Sequence, residues 1–323
     1  MILKLFKSNT IVAGVLSLVL LILLWFKSFR VNDAFAFLDF GLLYHFKSEI
    51  ITLPNWVLIL SGIVIVLITA SILNITINQD EFFDKNTFLP FTLYVLLISV
   101  SVDFNNFNPI IISNLFLILF LRWAFKIRRQ TDAREIMFNA SFLLSCATLF
   151  FPVYSPFLLS PFVLLIIFRP FVWREWVLAG LGLFIPAAFY AYLMYYLGFP
   201  FESNTYNESF WQLLNLDYIQ SAKQYTIVFI YGLLSMFSFY VAYKKMNKGS
   251  LRLRMLMRFL AYIFFTSLIL SFVLFFKSNL FLIVAALPLT LFFSYYFYHS
   301  KAFWGNLNFY ILLMGILIRL YFV

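Results

Sequence analysis

Charge is what this sequence has least of. Charged residues fill 11% of its 323 positions, whereas a soluble domain carries about 25%. So few cannot coat a water-facing surface, and a mean hydropathy of +0.96 excludes a soluble enzyme, a disordered tail and a fibre. Cysteine is nearly absent too. Cys146 stands alone inside an apolar run, so no intramolecular disulfide can form and no thiolate metal site is expected. The two histidines, His45 and His299, fall in loops expected on opposite faces, which removes a histidine-based metal site. No metal and no cofactor are expected. The centres of the apolar runs also lack Asp, Glu, Lys and His, and proton or ion relays normally need such groups. That counts against a proton-coupled pump or antiporter.

What is present is apolar: 64% hydrophobic and 22% aromatic. Roughly 200 apolar residues, at ~20 per helical span, make ten or so spans with short loops. The fold class expected is therefore all-α, a polytopic transmembrane helix bundle forming one integral membrane domain over residues 1–323. Apolar runs bounded by polar or proline-containing breaks give eleven candidate spans: 10–26, 55–74, 88–102, 109–127, 136–151, 153–168, 176–198, 225–243, 258–276, 279–298 and 306–322. Three of these, 88–102, 136–151 and 153–168, reach only about 22–24 Å as α-helix against a core of about 30 Å. The pair flanking Pro152 and Pro156 is thus either two spans or a re-entrant hairpin. The count is nine to eleven, and either choice leaves later segments on the same side. The run after Lys4 and Lys7 resembles a signal peptide. No small-x-small site follows at the right distance, so it is expected to stay as an uncleaved first span.

The formal charge of +10 sits in short clusters at the ends of runs. That pattern fits an anionic membrane surface and orientation signals, and no nucleic acid is expected as a partner. With the N-terminus cytoplasmic, seventeen of the 23 Lys and Arg residues face inward and six outward. The two most basic inner loops are 126–135 and 244–258, and the C-terminus is then periplasmic. The long outer loops are 27–54 and 199–224, each containing a stretch patterned as an interfacial amphipathic helix. The first carries Phe35, Leu38, Leu42 and Phe46 at helical spacing, the second Trp211, Leu214 and Tyr218.

Two sets of candidate site residues follow. Asp33 and Asp39, in the first outer loop, would stand near headgroup level, where a carboxylate could act as a general base or hold a metal in glycosyl transfer from a polyprenyl-linked sugar. The simpler alternative is a solvated helix face, with Asp33 favoured in a first turn by the helix dipole. On the inner side, Arg169-Pro170-Phe171-Val172-Trp173-Arg174-Glu175-Trp176 is the most distinctive string. Arg169 and Arg174 suit bidentate binding of a phosphate or lipid headgroup, or else serve as positive-inside anchors beside aromatic ones. Arg174 and Glu175 are adjacent, so on a helix they point about 100° apart and need not pair. Asn139, Ser141 and Ser145, in one run, read as helix-packing residues.

The stretch from Asn114 to Arg129 (NLFLILFLRWAFKIRR), followed by Asn139 to Trp176 ending RPFVWREW, resembles an uncharacterised multi-pass inner-membrane protein family of flavobacteria and related Bacteroidota. The resemblance implies the bacterial cytoplasmic (inner) membrane as the location. It carries no established activity and no catalytic residues.

The function expected is a non-catalytic membrane subunit or assembly factor of an envelope process. Its partners would be membrane lipids and other envelope proteins. The alternatives are a polyprenyl-linked glycosyltransferase or glycan polymerase using an outer-loop Asp, and a lipid or solute transporter. Multi-spanning glycosyltransferases resemble this chain in having an N-in first span followed by an outer amphipathic loop with an Asp, but they are longer and carry a large outer domain. The transporter is disfavoured because no internal repeat and no intramembrane charge is evident.

Overall fold

The computed structural model describes residues 2–30, 41–46, 50, 52–79, 82–100, 107–129, 132–198, 222–246, 251–275 and 281–322. Among the described residues the fold is helical throughout, with no strand. Asp33 and Asp39 lie outside them, as does nearly all of the second outer loop.

A short helix α1 (Ile2–Phe6) precedes α2 (Ile11–Arg30), α3 (Asn55–Gln79), α4 (Leu89–Ile98) and α5 (Pro109–Ala124). Then come α6 (Arg134–Phe150), α7 (Ser160–Phe168), α8 (Trp173–Tyr196), α9 (Ala222–Met246), α10 (Leu251–Phe275), α11 (Phe281–His299) and α12 (Ala302–Phe322). Among the described residues, each of the eleven apolar runs thus holds a helix. Among the described residues, four helical segments, Asn55–Gln79, Pro109–Ile127, Trp173–Tyr196 and Leu253–Phe272, are long and apolar enough to cross a membrane.

Two helices form the centre. Every residue of α4 is buried, and so is every residue from Ile283 to Phe297 of α11. At ten residues, α4 is only about 15 Å long. Its ends lie inside protein, where polar backbone can be satisfied without matching the bilayer. Trp25 of α2 donates its indole N–H to Ser99 Oγ at 3.0 Å, just past the end of α4. Ser17 and Thr92 share a hydroxyl hydrogen bond at 2.7 Å. These two bonds align α2 and α4 in parallel.

The run 153–168 departs from a plain α-helix. Pro152–Leu159 is 3-10 helix and only then does α7 begin. Pro156, inside the segment, cannot donate to an i→i−4 ladder and would clash with the carbonyl behind it, so the chain takes the tighter winding; Pro152 and Pro161 sit in first turns, where proline is tolerated. Eight residues at ~2.0 Å and nine at ~1.5 Å reach about 30 Å, where an unbroken α-helix would give about 25 Å. The apparent shortness of this run comes from assuming α-helical rise. Tyr154 and Phe157, three residues apart, share the buried side. Tyr154 Oη donates to Asn114 Oδ1 at 2.8 Å, and Asn114 Nδ2 donates to the Ile283 carbonyl at 3.2 Å. This buried junction ties the 3-10 segment to α5 and α11.

Helix boundaries differ from the apolar runs where polar residues continue a helix. α10 starts at Leu251, seven residues before the run it contains, so Arg252, Arg254 and Arg258 belong to its first turns. Lys and Arg are good helix formers, and a long charged side chain can lie along apolar surface while its head reaches water, as exposed Arg258 is placed to do.

Contacts between helix ends sort the bundle into two faces. Lys7 Nζ, before α2, donates to the Tyr298 carbonyl at the end of α11 at 3.2 Å. Lys85 N–H, between α3 and α4, donates to Tyr298 Oη at 3.1 Å. Phe82 packs on Phe125 at the end of α5, with ring centroids 5.7 Å apart. The starts of α6 and α8 meet at the same end through Ala133 and Glu175. Lys7, Lys85, Arg122, Lys126, Arg134, Arg169, Arg174 and Lys244 all belong to this face, called here the basic end.

Candidate functional site

Among the described residues, α6 and α8 make the most extensive helix–helix contact. Between helices in lipid there is no hydrophobic drive, so small residues and interhelical hydrogen bonds carry the association. A Cβ on Gly182 of α8 would sit 2.6 Å from the Phe138 carbonyl oxygen and 2.9 Å from Ser141 Cβ of α6, so only glycine admits this approach. One turn along the seam, Ser145 Oγ donates to the Leu183 carbonyl at 2.8 Å. Ser141 and Ser145 are thus packing residues, as their setting in the sequence suggests.

At the basic end this seam closes on the Arg169–Trp176 string. Arg169 caps α7 in an extended conformation (φ −138°, ψ 149°). Val172 is extended again (φ −126°, ψ 103°) before α8 begins. The turn folds Arg169 back onto the first turn of α8. There its guanidinium forms an ion pair with Glu175 Oε1. The same oxygen accepts from the Ala133 N–H at 3.3 Å, which attaches the start of α6. Glu175 is 3% exposed; a carboxylate there is favoured by the free N–H groups and dipole of a helix N-terminus. Its Oε2 is buried without a hydrogen-bond partner among the described residues.

Arg174 points elsewhere. It is exposed, with its guanidinium carbon 5.7 Å from the centroid of the Trp173 ring. Trp176 turns inward and stacks on Phe162 at 5.7 Å. Of the two candidate phosphate binders, then, Arg169 is engaged by Glu175, while Arg174 and Trp173 form an exposed cation–aromatic pair. Lys126 repeats the motif nearby, 3.9 Å from the Trp123 centroid. A second ion pair at this end, Arg134–Asp132, is exposed. Hydrogen bonds from the Arg134 side chain and backbone N–H hold the Asp132 carboxyl down at about 2.

The string is visible in the sequence, but the role of Glu175 is not. Its partner lies six residues back across a proline turn, while its neighbour Arg174 is the more obvious candidate. An Arg before a proline turn, with a Glu in the first turn of the following helix, is the pattern that could have revealed the clamp. Among the described residues no group of three or more His, Cys, Asp or Glu could hold a metal ion.

The chain belongs to a family of unknown function (DUF6427), which it matches over residues 36–323. No curated protein and no solved structure matches it.

Proposed function

We propose that this chain is a multi-pass protein of the bacterial cytoplasmic membrane, of the Bacteroidota lineage that the sequence resemblance implies, and that it serves as a non-catalytic subunit or assembly factor. The basic end faces the cytoplasm, following the positive-inside rule. The eleven helices cross with the N-terminus inside and the C-terminus outside. The 30 Å reach of residues 152–168 favours two crossings over a re-entrant hairpin. Exposed apolar side chains on α2 and α8, such as Val15, Ile22, Phe184 and Phe189, face lipid. In this reading Arg174 and Trp173 anchor the chain at the headgroup level, with a lipid phosphate as the partner of Arg174.

The observation that carries the non-catalytic reading is the use made of the Arg169–Trp176 string. Its carboxylate and one of its arginines hold each other and the backbone of α6, so the string closes the bundle. The test is complementation of a deletion strain. A variant with Met at both 169 and 175 removes the charges and keeps the bulk, and full complementation at wild-type protein level is expected. Asp33→Asn with Asp39→Asn should complement equally. Loss of function in either double variant, with level and topology intact, would replace this reading with an enzymatic one. Reporter fusions after Arg129 and Lys248 should be cytoplasmic and those at Asn207 periplasmic; a periplasmic signal after Lys248 would invert the orientation.

A further inference from the structure

The formal charge of the chain is unevenly placed. Up to Asp217 thirteen basic and thirteen acidic residues cancel; beyond it ten basic residues stand with no Asp or Glu at all. The whole net charge of +10 therefore belongs to the part of the chain containing α9 to α12. A cleft of about 240 Å³ opens there between α9, α10 and α11, lined by Phe239, Tyr243, Met257, Arg258, Phe265 and Phe292. Among the described residues, Arg258 is its only charged lining residue.

Arg254 lies one turn before Arg258 on α10. With Met257, Ala261 and Phe265 the two arginines form a single stripe at helical spacing. Arg254 Nε is shielded from water and has no hydrogen-bond partner among the described residues. A buried guanidinium N–H without an acceptor is costly. Lys244, exposed at the end of α9, adds charge at the same level. The cleft is thus apolar along its length and basic at the basic end, where Arg258 lines it; Arg254, one turn away and not itself part of the lining, holds a donor lacking an acceptor among the described residues.

We propose that this cleft is a site for an anionic phospholipid. Its phosphate is held by Arg254 and Arg258, and an acyl chain lies along Met257, Ala261 and Phe265 toward Phe239 and Phe292. Two arginines one turn apart offer planar, donor-rich forks suited to phosphate oxygens. Basic pockets between membrane helices on the cytoplasmic side bind anionic headgroups by this chemistry. A zwitterionic lipid fits the apolar part equally well and gains less at the mouth, because its phosphate is already neutralised. The site rests on the membrane reading above and is independent of the subunit role.

The test uses the full chain, purified in detergent and stripped of lipid. Binding of phosphatidylglycerol, phosphatidylcholine and inorganic phosphate is measured by thermal shift and by native mass spectrometry. Phosphatidylglycerol should raise the unfolding midpoint, phosphatidylcholine much less, and inorganic phosphate not at all. Arg254→Gln with Arg258→Gln should weaken phosphatidylglycerol binding about 30-fold, at roughly fivefold for each basic residue near an anionic headgroup. Removing equal charge elsewhere, by Lys85→Gln with Lys301→Gln, should leave it within about twofold. Equal stabilisation of the wild type by the two lipids would overturn the proposal even if no variant could be purified. So would stabilisation by phosphate alone, or an equal loss in the control pair. Alkaline carbonate extraction separates the two failures: release of the chain from membranes would refute the membrane reading itself.

Discussion

Replacing Arg169 by Met leaves the Glu175 carboxylate where it is, 3% exposed, with the Ala133 N–H at 3.3 Å and the helix N-terminus to offset its charge. Removing one member of a buried ion pair costs about 3–5 kcal/mol. The arginine side chain is 16% exposed, so some water reaches the pair, and the lower end, about 3 kcal/mol, applies. At about 2 °C per kcal/mol for a chain of this size, the midpoint should fall by about 6 °C. Glu175→Gln keeps the acceptor for both donors and loses only the charge assistance, about 1 kcal/mol. With Met at both positions the buried charge is gone. An apolar replacement of an ion pair is neutral or stabilising, but the Ala133 N–H loses its acceptor at about 1–3 kcal/mol, so the double variant should lie within about 2 kcal/mol of wild type. The single-Met variants should therefore be less stable than the double. The assay is a double-mutant cycle on the detergent-solubilised chain, followed by thermal unfolding. Additive single effects, with no coupling, would refute the clamp as the fastener of α6, α7 and α8.

Two further outcomes follow from the geometry. Gly182→Ala pushes a methyl against the Phe138 carbonyl and should destabilise by about 1–3 kcal/mol, whereas Gly232→Ala, with nothing within 4 Å of the added Cβ, should be neutral or slightly stabilising; equal midpoints for the two variants would contradict the tight α6–α8 approach. The Asp132 carboxyl, held down at about 2 by Arg134, lies below its unfolded value of about 3.9, so its contribution is present above about pH 4 and lost as pH falls through about 2. The midpoint difference between wild type and Asp132→Asn should accordingly stay constant from pH 8 to pH 5 and shrink only below about pH 4; a change near neutrality would point to another group.

Much of the helical layout was legible because burying backbone in lipid leaves a chain few choices, and among the described residues each apolar run holds a helix. Where the helices ended was less legible. Hydropathy drops at Arg254 and Arg258, but a helix can continue through a charged side chain that reaches back to water, so α10 begins seven residues early. The stretch around Pro152 and Pro156 reads as a break because proline opposes the α-helix; that it continues as 3-10 depends on the seat that α5 and α11 give Tyr154. The Arg169–Trp176 string stood out in the sequence, but not its pairing. Sequence distance favours Arg174 beside Glu175, whereas the backbone turn at Pro170 delivers Arg169. The partnership of Asn114 with Tyr154 and Ile283 spans 169 positions, beyond any local pattern. Asp33 and Asp39 lie outside the described residues.

The contact between α1 and α12 has a consequence for how the chain is made. Leu3 and Phe6 are buried: Phe6 packs on Phe309 at 6.0 Å, Leu3 lies against Gly305, and Lys7 reaches Tyr298, 291 positions away. At roughly 5–20 residues per second, about 15–60 seconds of synthesis separate these partners. Throughout that interval the apolar face of α1 must rest on the bilayer surface or on another protein, and it docks only when α12 arrives. In the multi-pass reading proposed above, insertion of the middle helices proceeds in order from the ribosome, while closure of the basic end waits for the segment after Tyr298. A ribosome stalled between α11 and α12 would therefore leave the first helix without the seat that Gly305 and Phe309 provide.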